Sequence, residues 1–459
     1  MSKRNLILIG VVLIIILISV FAFIAIYKPT GNTSGGTGGT NFLSNLFPFG
    51  KSTTNTPTGT SPTDVSGYVP PNTPETQKEL LTKVSSMPVA GYGIFMKERF
   101  KDVVVEPTPQ TESQVVANPE TTSTTPTTPT DTKKITPTTP TAPTTEFIPA
   151  VRYVDRGTGN IYQTFADKID ERKLTTTIIP QVYEAFFGDG ANSVVMRYLK
   201  SDASTIESFV GALPKEVLGQ DTSSSEVTGS FLPENITDMS MLSNSSSMFY
   251  LFNSGDNTVG VTASSYGDKK NQIFSSSFNE WLSQWPNNRM ITLTTKPSYG
   301  VPGFMYYIDP SVKKMNKILG DINGLTTLTS PSGKLILYNN NNLSLRIYNT
   351  DTNDSVSIGI KTMPEKCVWN KTSTSLYCAV PNYINGENYP DTWYQGETSF
   401  SDQIWKVNIE NGSATMLADP TSFSGGEEID GIKLSLDEGE NYLFFVNKKD
   451  SYLWELVLK

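Results

Sequence analysis

Residues 6–27 form a run of 22 positions without a charge, dominated by Ile, Leu and Val. As a helix this run reaches about 33 Å, enough for a hydrocarbon core of about 30 Å. The pattern after residue 147 is different. Short alternating runs rich in Val, Ile, Tyr and Phe are separated by Gly, Asn and Asp. That is the signature of antiparallel hairpins. Residues 152–155 lead through Gly157 and Gly159 into residues 161–165, a hairpin with Gly in the turn. The same form recurs from 248–252 to 258–262 across Ser254-Gly255-Asp256-Asn257. It recurs from 335–338 to 343–348 across four asparagines, and from 442–446 to 451–458 across Asn447-Lys448-Lys449-Asp450. No helical period of useful length competes with these strands, and residues 75–84 read as a strand.

A period of about 40–50 residues underlies the hairpins. Inner-strand signals fall near Val89, Val182, Ile236, Ile291, Leu325, Cys367 and Ile432. Units of three or four strands at this spacing predict an all-β, seven-bladed β-propeller over residues 76–459. A β-sandwich of the same strand count leaves the repeat unexplained. The last unit shows only three strands, at 431–436, 442–446 and 452–458. Residues 81–89 match residues 174–182 as an outer strand, a Pro and the next inner strand, yet no blade precedes the first copy. Residues 79–85 are therefore expected to supply the missing outer strand of the last blade, hiding two sheet edges at once.

Low-complexity segments complete the layout. Residues 28–75 are rich in Gly, Thr, Pro, Ser and Asn and read as a flexible linker. The exception is the apolar knot Phe42-Leu43-Ser44-Asn45-Leu46-Phe47-Pro48-Phe49, expected to rest at the membrane interface, with a docking peptide for a partner as the alternative. Residues 106–146 read as a disordered Thr/Pro-rich insertion within the first blade, since 14 of the 25 residues in 121–145 are Thr and five are Pro. Loop-closure entropy grows slowly with length, so the blade tolerates it. Lys3 and Arg4 before the apolar run place residues 1–5 in the cytoplasm and the rest outside, with 6–27 as a transmembrane signal anchor. A cleaved signal peptide is the rival reading, but the run is long and lacks an Ala-x-Ala end.

Composition removes several chemistries. The chain has 36 Lys+Arg against 45 Asp+Glu, a net charge of −9, which argues against nucleic acid. It contains no histidine, so Ser-His-Asp and Cys-His pairs and His metal sites are excluded. Two cysteines are too few for Cys₄ zinc or iron–sulfur centres. No cofactor or metal is expected. Cys367 and Cys378 flank a short turn at 371–374 and face each other across a hairpin, so a disulfide is expected in an oxidising compartment.

Ser330-Pro331-Ser332-Gly333-Lys334 resembles the S-P-D-G-x turn of TolB-like and WD-repeat-like propellers, with Ser332 in place of the usual Asp. Tyr389-Pro390-Asp391-Thr392-Trp393-Tyr394-Gln395-Gly396, followed by Ser399-Phe400-Ser401-Asp402-Gln403-Ile404-Trp405, resembles a segment of uncharacterised membrane-anchored bacterial β-propeller proteins. The resemblance spans about residues 79–459 and implies a fold, because propellers host binding, scaffolding and catalysis alike.

The longest interruption in the blade pattern is 382–402. Tyr383, Tyr389, Asp391, Trp393, Tyr394 and Glu397 lie there as a candidate ligand surface, for stacking sugars or meeting a protein. The competing reading is that these aromatics pack over the blade and cap the channel mouth. Trp369, Trp405 and Trp454, at alternate strand positions, read as core. A carboxylate-based glycan hydrolase or lyase is the alternative function. However, Asp189, Asp309, Glu427 and Glu428 sit in no motif, and Asp351-x-Asn353-Asp354 is too partial for a calcium loop. The expected function is a non-enzymatic binding or scaffold module on the outer face of a membrane, for a protein or polysaccharide partner.

Overall fold

The computed structural model describes residues 80–101, 144–219, 225–243, 245–423 and 426–459. Seven four-stranded antiparallel sheets account for the fold, and each is one blade of a propeller. Blade one comprises Val89–Phe100, Thr145–Asp155, Ile161–Phe165 and Arg172–Lys173; blade two Val182–Gly188, Ser193–Leu199, Ile206–Ala212 and Thr228–Phe231. Blade three comprises Ile236–Met241, Ser247–Ser254, Asn257–Ser264 and Asn271–Ser276; blade four Trp281–Asn287, Met290–Thr295, Pro302–Asp309 and Lys314–Asn323. Blade five comprises Thr326–Thr329, Leu335–Asn339, Ser344–Asn349 and Ser355–Lys361; blade six Cys367–Trp369, Ser375–Pro381, Asp402–Asn408 and Ala414–Ala418. Blade seven takes Gly431–Leu436, Tyr442–Asn447 and Leu453–Val457 from one end of the propeller and Leu81–Lys83 from the other.

That last pairing closes the ring. Leu81 lies opposite Leu456, Thr82 opposite Glu455 and Lys83 opposite Trp454. The Val84 amide donates to the Leu453 carbonyl at 2.7 Å, and Val457 N to Leu80 O at 2.8 Å. Leu81 and Leu456 are buried in one apolar cluster with Trp454 and Phe445. Lys83 bonds Glu427 at 2.9 Å and lies over the Tyr452 and Trp454 rings. The seam therefore combines ladder hydrogen bonds with apolar burial.

The first strand of each blade faces the central channel, and the middle strands carry the core. Phe249, Phe444, Leu337, Met196 and Tyr153 all lie on second strands and are fully buried. Neighbouring first strands approach closely. A Cβ on Gly91 of blade one would lie 2.0 Å from the Ala185 carbonyl oxygen of blade two, so only glycine fits there. Because strand direction alternates, loops joining first to second and third to fourth strands share one face, called lower here. The remaining loops share the upper face.

Four details differ from the sequence reading. The inner strand of blade four is Trp281–Asn287, and Ile291 lies on the second strand. A register break between Gln284 and Asn287, next to Pro286, disrupts the alternation that would have marked the inner strand. The fourth strand of blade one is only Arg172–Lys173, and Leu174 turns into the core beyond it. The ladder between the first two strands of blade one runs out to Phe100 opposite Thr145. It thus takes in Thr145 and Glu146, which composition had placed in the insertion, and Glu146 meets Arg99 at 2.9 Å. Finally, residues 391–394 form a single helical turn, Asp391–Tyr394.

The apolar run 6–27, residues 1–5, the linker 28–75 with its knot at 42–49, and residues 102–143 lie outside the described residues. Among the described residues no helix is long and apolar enough to cross a membrane.

Cys367 and Cys378 are directly opposed on the first two strands of blade six, with Cα atoms 4.0 Å apart, and form a disulfide. Replacing both by Ser should lower stability by about 2–3 kcal/mol, because the bond restrains the unfolded chain. A denaturant midpoint equal to that of the wild type would contradict this.

Candidate functional site

The loop between the second and third strands of blade six lies on the upper face and crosses it. Tyr389, Trp393 and Phe400 turn inward and are buried with Leu343 and Met363. Tyr389 and Phe400 stack at 5.6 Å. Asp391 reaches the upper loop of blade four, accepting from Ser298 Oγ at 3.0 Å and Tyr299 N at 2.6 Å. Tyr394 keeps an exposed edge and donates to Glu365; desolvation of its hydroxyl and the neighbouring carboxylate raise its pKa well above the ordinary value. Tyr383, 57 % exposed, and Glu397 face solvent. The structure therefore brings the six candidate residues onto one face but divides their work. Tyr389 and Trp393 anchor the loop, Asp391 ties it to blade four and Tyr394 to the entry of blade six, and Tyr383 and Glu397 are presented outward.

Beneath the loop lies a charged cluster that no local sequence pattern marks. Lys366, Asp402 and Asp430 are fully buried. Lys366 Nζ donates to Asp402 Oδ2 at 2.7 Å, to Asp430 Oδ1 and to the Gly431 carbonyl at 3.1 Å. Asp430 Oδ2 accepts from Trp393 Nε1 at 3.0 Å, Phe400 N at 3.1 Å and Ser399 Oγ at 3.2 Å. Lys448 lies 4.4 Å from the centre of the Trp393 ring and donates to the Trp393 carbonyl. Burial pushes the Asp402 carboxyl up to about 6, against the pull of Lys366. Each of these three residues stands beside the start of a strand, at positions 366, 402 and 430, so the ring geometry alone assembles them.

The acids considered for catalysis have other work. Asp189 accepts from Tyr266 OH, and Asp309 caps its turn through Ser311 N at 2.8 Å. Glu427 pairs with Lys83 and Glu428 with Lys449. Asp351 pairs with Lys334 at 2.7 Å. Among the described residues no group of three or more acids or cysteines is arranged to hold a metal. Trp369 and Trp454 are buried, whereas Trp405 is half-buried.

Two acids line neighbouring inner strands. Glu184 of blade two pairs with Arg197 at 2.5 Å. Asp238 of blade three accepts from Ser283 N and Ser283 Oγ, each at 2.6 Å. Burial pushes Asp238 up to about 6, opposed by the Ser283 bonds. Because the folded state holds this proton more tightly than the unfolded chain, stability should fall as pH rises from about 4 to about 6 and level off above. Asp402 adds a slope of the same sign. Asp238→Asn should flatten the melting temperature across this window; an unchanged slope would contradict the assignment.

The lower face is concave. Cavities of about 900 and 960 Å³ open there beneath blades four and five and beneath blades one and two. A third, of about 660 Å³, lies at the channel mouth between the inner strands. In the blade one–two cavity, Lys97, Arg152 and Arg172 converge on Glu216. Burial acts to raise Glu216, but Lys97, Gln163 and Arg172 hold it below the ordinary value. Sequence reasoning did not find this group, because its members are spread over residues 97–216 and meet only through the ring.

No family model matches the chain, and no curated protein matches it. Among solved structures, an oligogalacturonate lyase from Vibrio parahaemolyticus is similar over 68% of this chain and 86% of its own, at 10% identity and a TM-score of 0.44. An oligogalacturonate lyase in complex with manganese covers 68% and 85% at 10% identity, with a TM-score of 0.43. The tricorn protease matches over 65% of this chain and 27% of its own, at 12% identity and a TM-score of 0.32. The seven-bladed propeller stands on the strand pairing itself.

Proposed function

We propose that the chain is a membrane-anchored, extracytoplasmic binding module whose upper face receives a protein or cell-envelope polymer without chemical turnover. One observation carries this reading: the 382–401 loop is tied by side-chain contacts over a buried charge cluster while Tyr383 and Glu397 are exposed. Fixing a loop before contact reduces the ordering cost of association. Exposed tyrosine contributes large contact area with few rotatable bonds. The Cys367–Cys378 disulfide supports an oxidising compartment. The apolar run at 6–27, preceded by Lys3 and Arg4, supports the anchor.

The test is cross-linking of the full chain in its native membranes, comparing wild type with Tyr383→Ala/Glu397→Lys. A partner recovered with the wild type and lost by tenfold or more with the variant supports the reading. Equal recovery, or glycan turnover by the purified chain, overturns it. A second reading, carboxylate-based glycan hydrolysis or elimination, draws on Asp238 beside Glu184 in the channel. It requires turnover that Asp238→Asn abolishes.

A further inference from the structure

Lys366, Asp402 and Asp430 do more than neutralise one another. We infer that Lys366 and Asp430 become joined after folding by an amide between their side chains, with Asp402 carrying the proton. The geometry supplies each part. Lys366 Nζ touches Asp430 Oδ1 and lies 2.7 Å from Asp402 Oδ2. The other Asp430 oxygen, Oδ2, faces three donors: Trp393 Nε1, Phe400 N and Ser399 Oγ. Asp402 Oδ1 is buried with no hydrogen-bond partner, which leaves one oxygen of this carboxyl able to hold a proton. The Trp393 and Phe400 rings stand 5.5 and 5.3 Å from Nζ and wall the chamber off.

The reaction balances without any external reagent. Asp402 takes a proton from the Lys366 ammonium and passes it to Asp430 Oδ1, leaving a neutral amine facing a neutral carboxyl. The freed lone pair attacks Cγ of Asp430. Negative charge develops on Asp430 Oδ2, where the three donors stabilise it. The nitrogen gives up a second proton as the intermediate collapses, and both protons reach Oδ1 through Asp402. The Cγ–Oδ1 bond breaks and Oδ1 departs as water.

Two effects drive this forward. Lys366 Nζ is held against an oxygen of the carboxyl it attacks, and well-oriented intramolecular reactions reach effective concentrations of about 10⁵–10⁸ M. The product also replaces two charges taken out of water by one neutral amide, which removes a desolvation cost. The bond would link the entries of blades six and seven, residues that are 64 apart in the chain. It would pin the floor of the 382–401 loop in the way a disulfide restrains a chain.

Intact mass of the full-length chain, with Cys367 and Cys378 reduced and alkylated, reads the bond directly. Peptide mapping locates it whatever other modification the chain carries. The expected result is a mass about 18 Da below that of the reduced and alkylated linear chain, the loss of one water, and a branched peptide containing Lys366 and Asp430. Asp402→Asn and Lys366→Arg should each give the two peptides separately, with the Cys367–Cys378 disulfide still formed as a sign of folding. Recovery of Lys366 and Asp430 in separate peptides from the wild type overturns the proposal, whatever the variants do. A branched peptide formed equally well in Asp402→Asn overturns the role given to Asp402.

Discussion

Lys366→Met is expected to lower the stability of the propeller by about 3–5 kcal/mol, because it leaves Asp402 and Asp430 buried without their cation. Loss of a cross-link would add to this figure. The effect should be felt locally first. Asp430 holds Trp393 Nε1 and Phe400 N, so a repelled Asp430 releases both anchors of the 382–401 loop. Limited proteolysis should then cut within 382–401 before the blades unfold. Replacing all three residues, as Lys366→Met/Asp402→Asn/Asp430→Asn, should restore much of the loss, because a neutral interior carries no unpaired charge. A single variant as stable as the wild type, with an uncut loop, would contradict this picture.

The second large effect is expected at the seam. A chain beginning at residue 86 lacks Leu81–Lys83, and the Leu453–Val457 strand is left with an open edge. Burial of Leu81 and Val84 is lost, together with the Val84 and Val457 hydrogen bonds. With apolar side chains contributing about 1.5–3 kcal/mol each and hydrogen bonds about 0.5–1.5, the total is about 4–9 kcal/mol. An exposed edge beside Trp454 and Leu456 also invites pairing between molecules. A chain beginning at residue 76 should therefore purify as a folded species by size exclusion, while one beginning at 86 should aggregate. Equal melting temperatures for the two would contradict the closure.

The seam was legible because it rests on a repeat. Residues 81–89 match 174–182, and a last unit short of one strand leaves one place for the first copy. The disulfide was legible for a related reason, since a four-residue turn between Cys-x-x-x and x-x-x-Cys fixes the register. Blade four was read one strand late, because Trp281 and Trp285 stand four apart around a register break, whereas Ile291 and Leu293 alternate cleanly and are fully buried. In the loop, sequence identified the aromatic residues but not their directions. Tyr383 and Tyr389 are six residues apart, yet one is exposed and the other buried, because Tyr389 stacks on Phe400, whose amide is held by Asp430 on the approach to the next blade. Charges assembled across the ring, such as Lys97 and Glu216 or Lys366 and Asp430, leave no spacing in the sequence to read.

Hydrogen exchange at Val84 tests the closed ring most directly. Its amide donates to Leu453 across the seam, and an amide so placed exchanges only when the sheet opens. In a ring closed as described, Val84 and the strand Leu453–Val457 exchange together, at the slow rate of the second strands of the other blades. Exchange of Val84 at the rate of unstructured chain, while blade six remains protected, would show that the first strand is not part of the propeller.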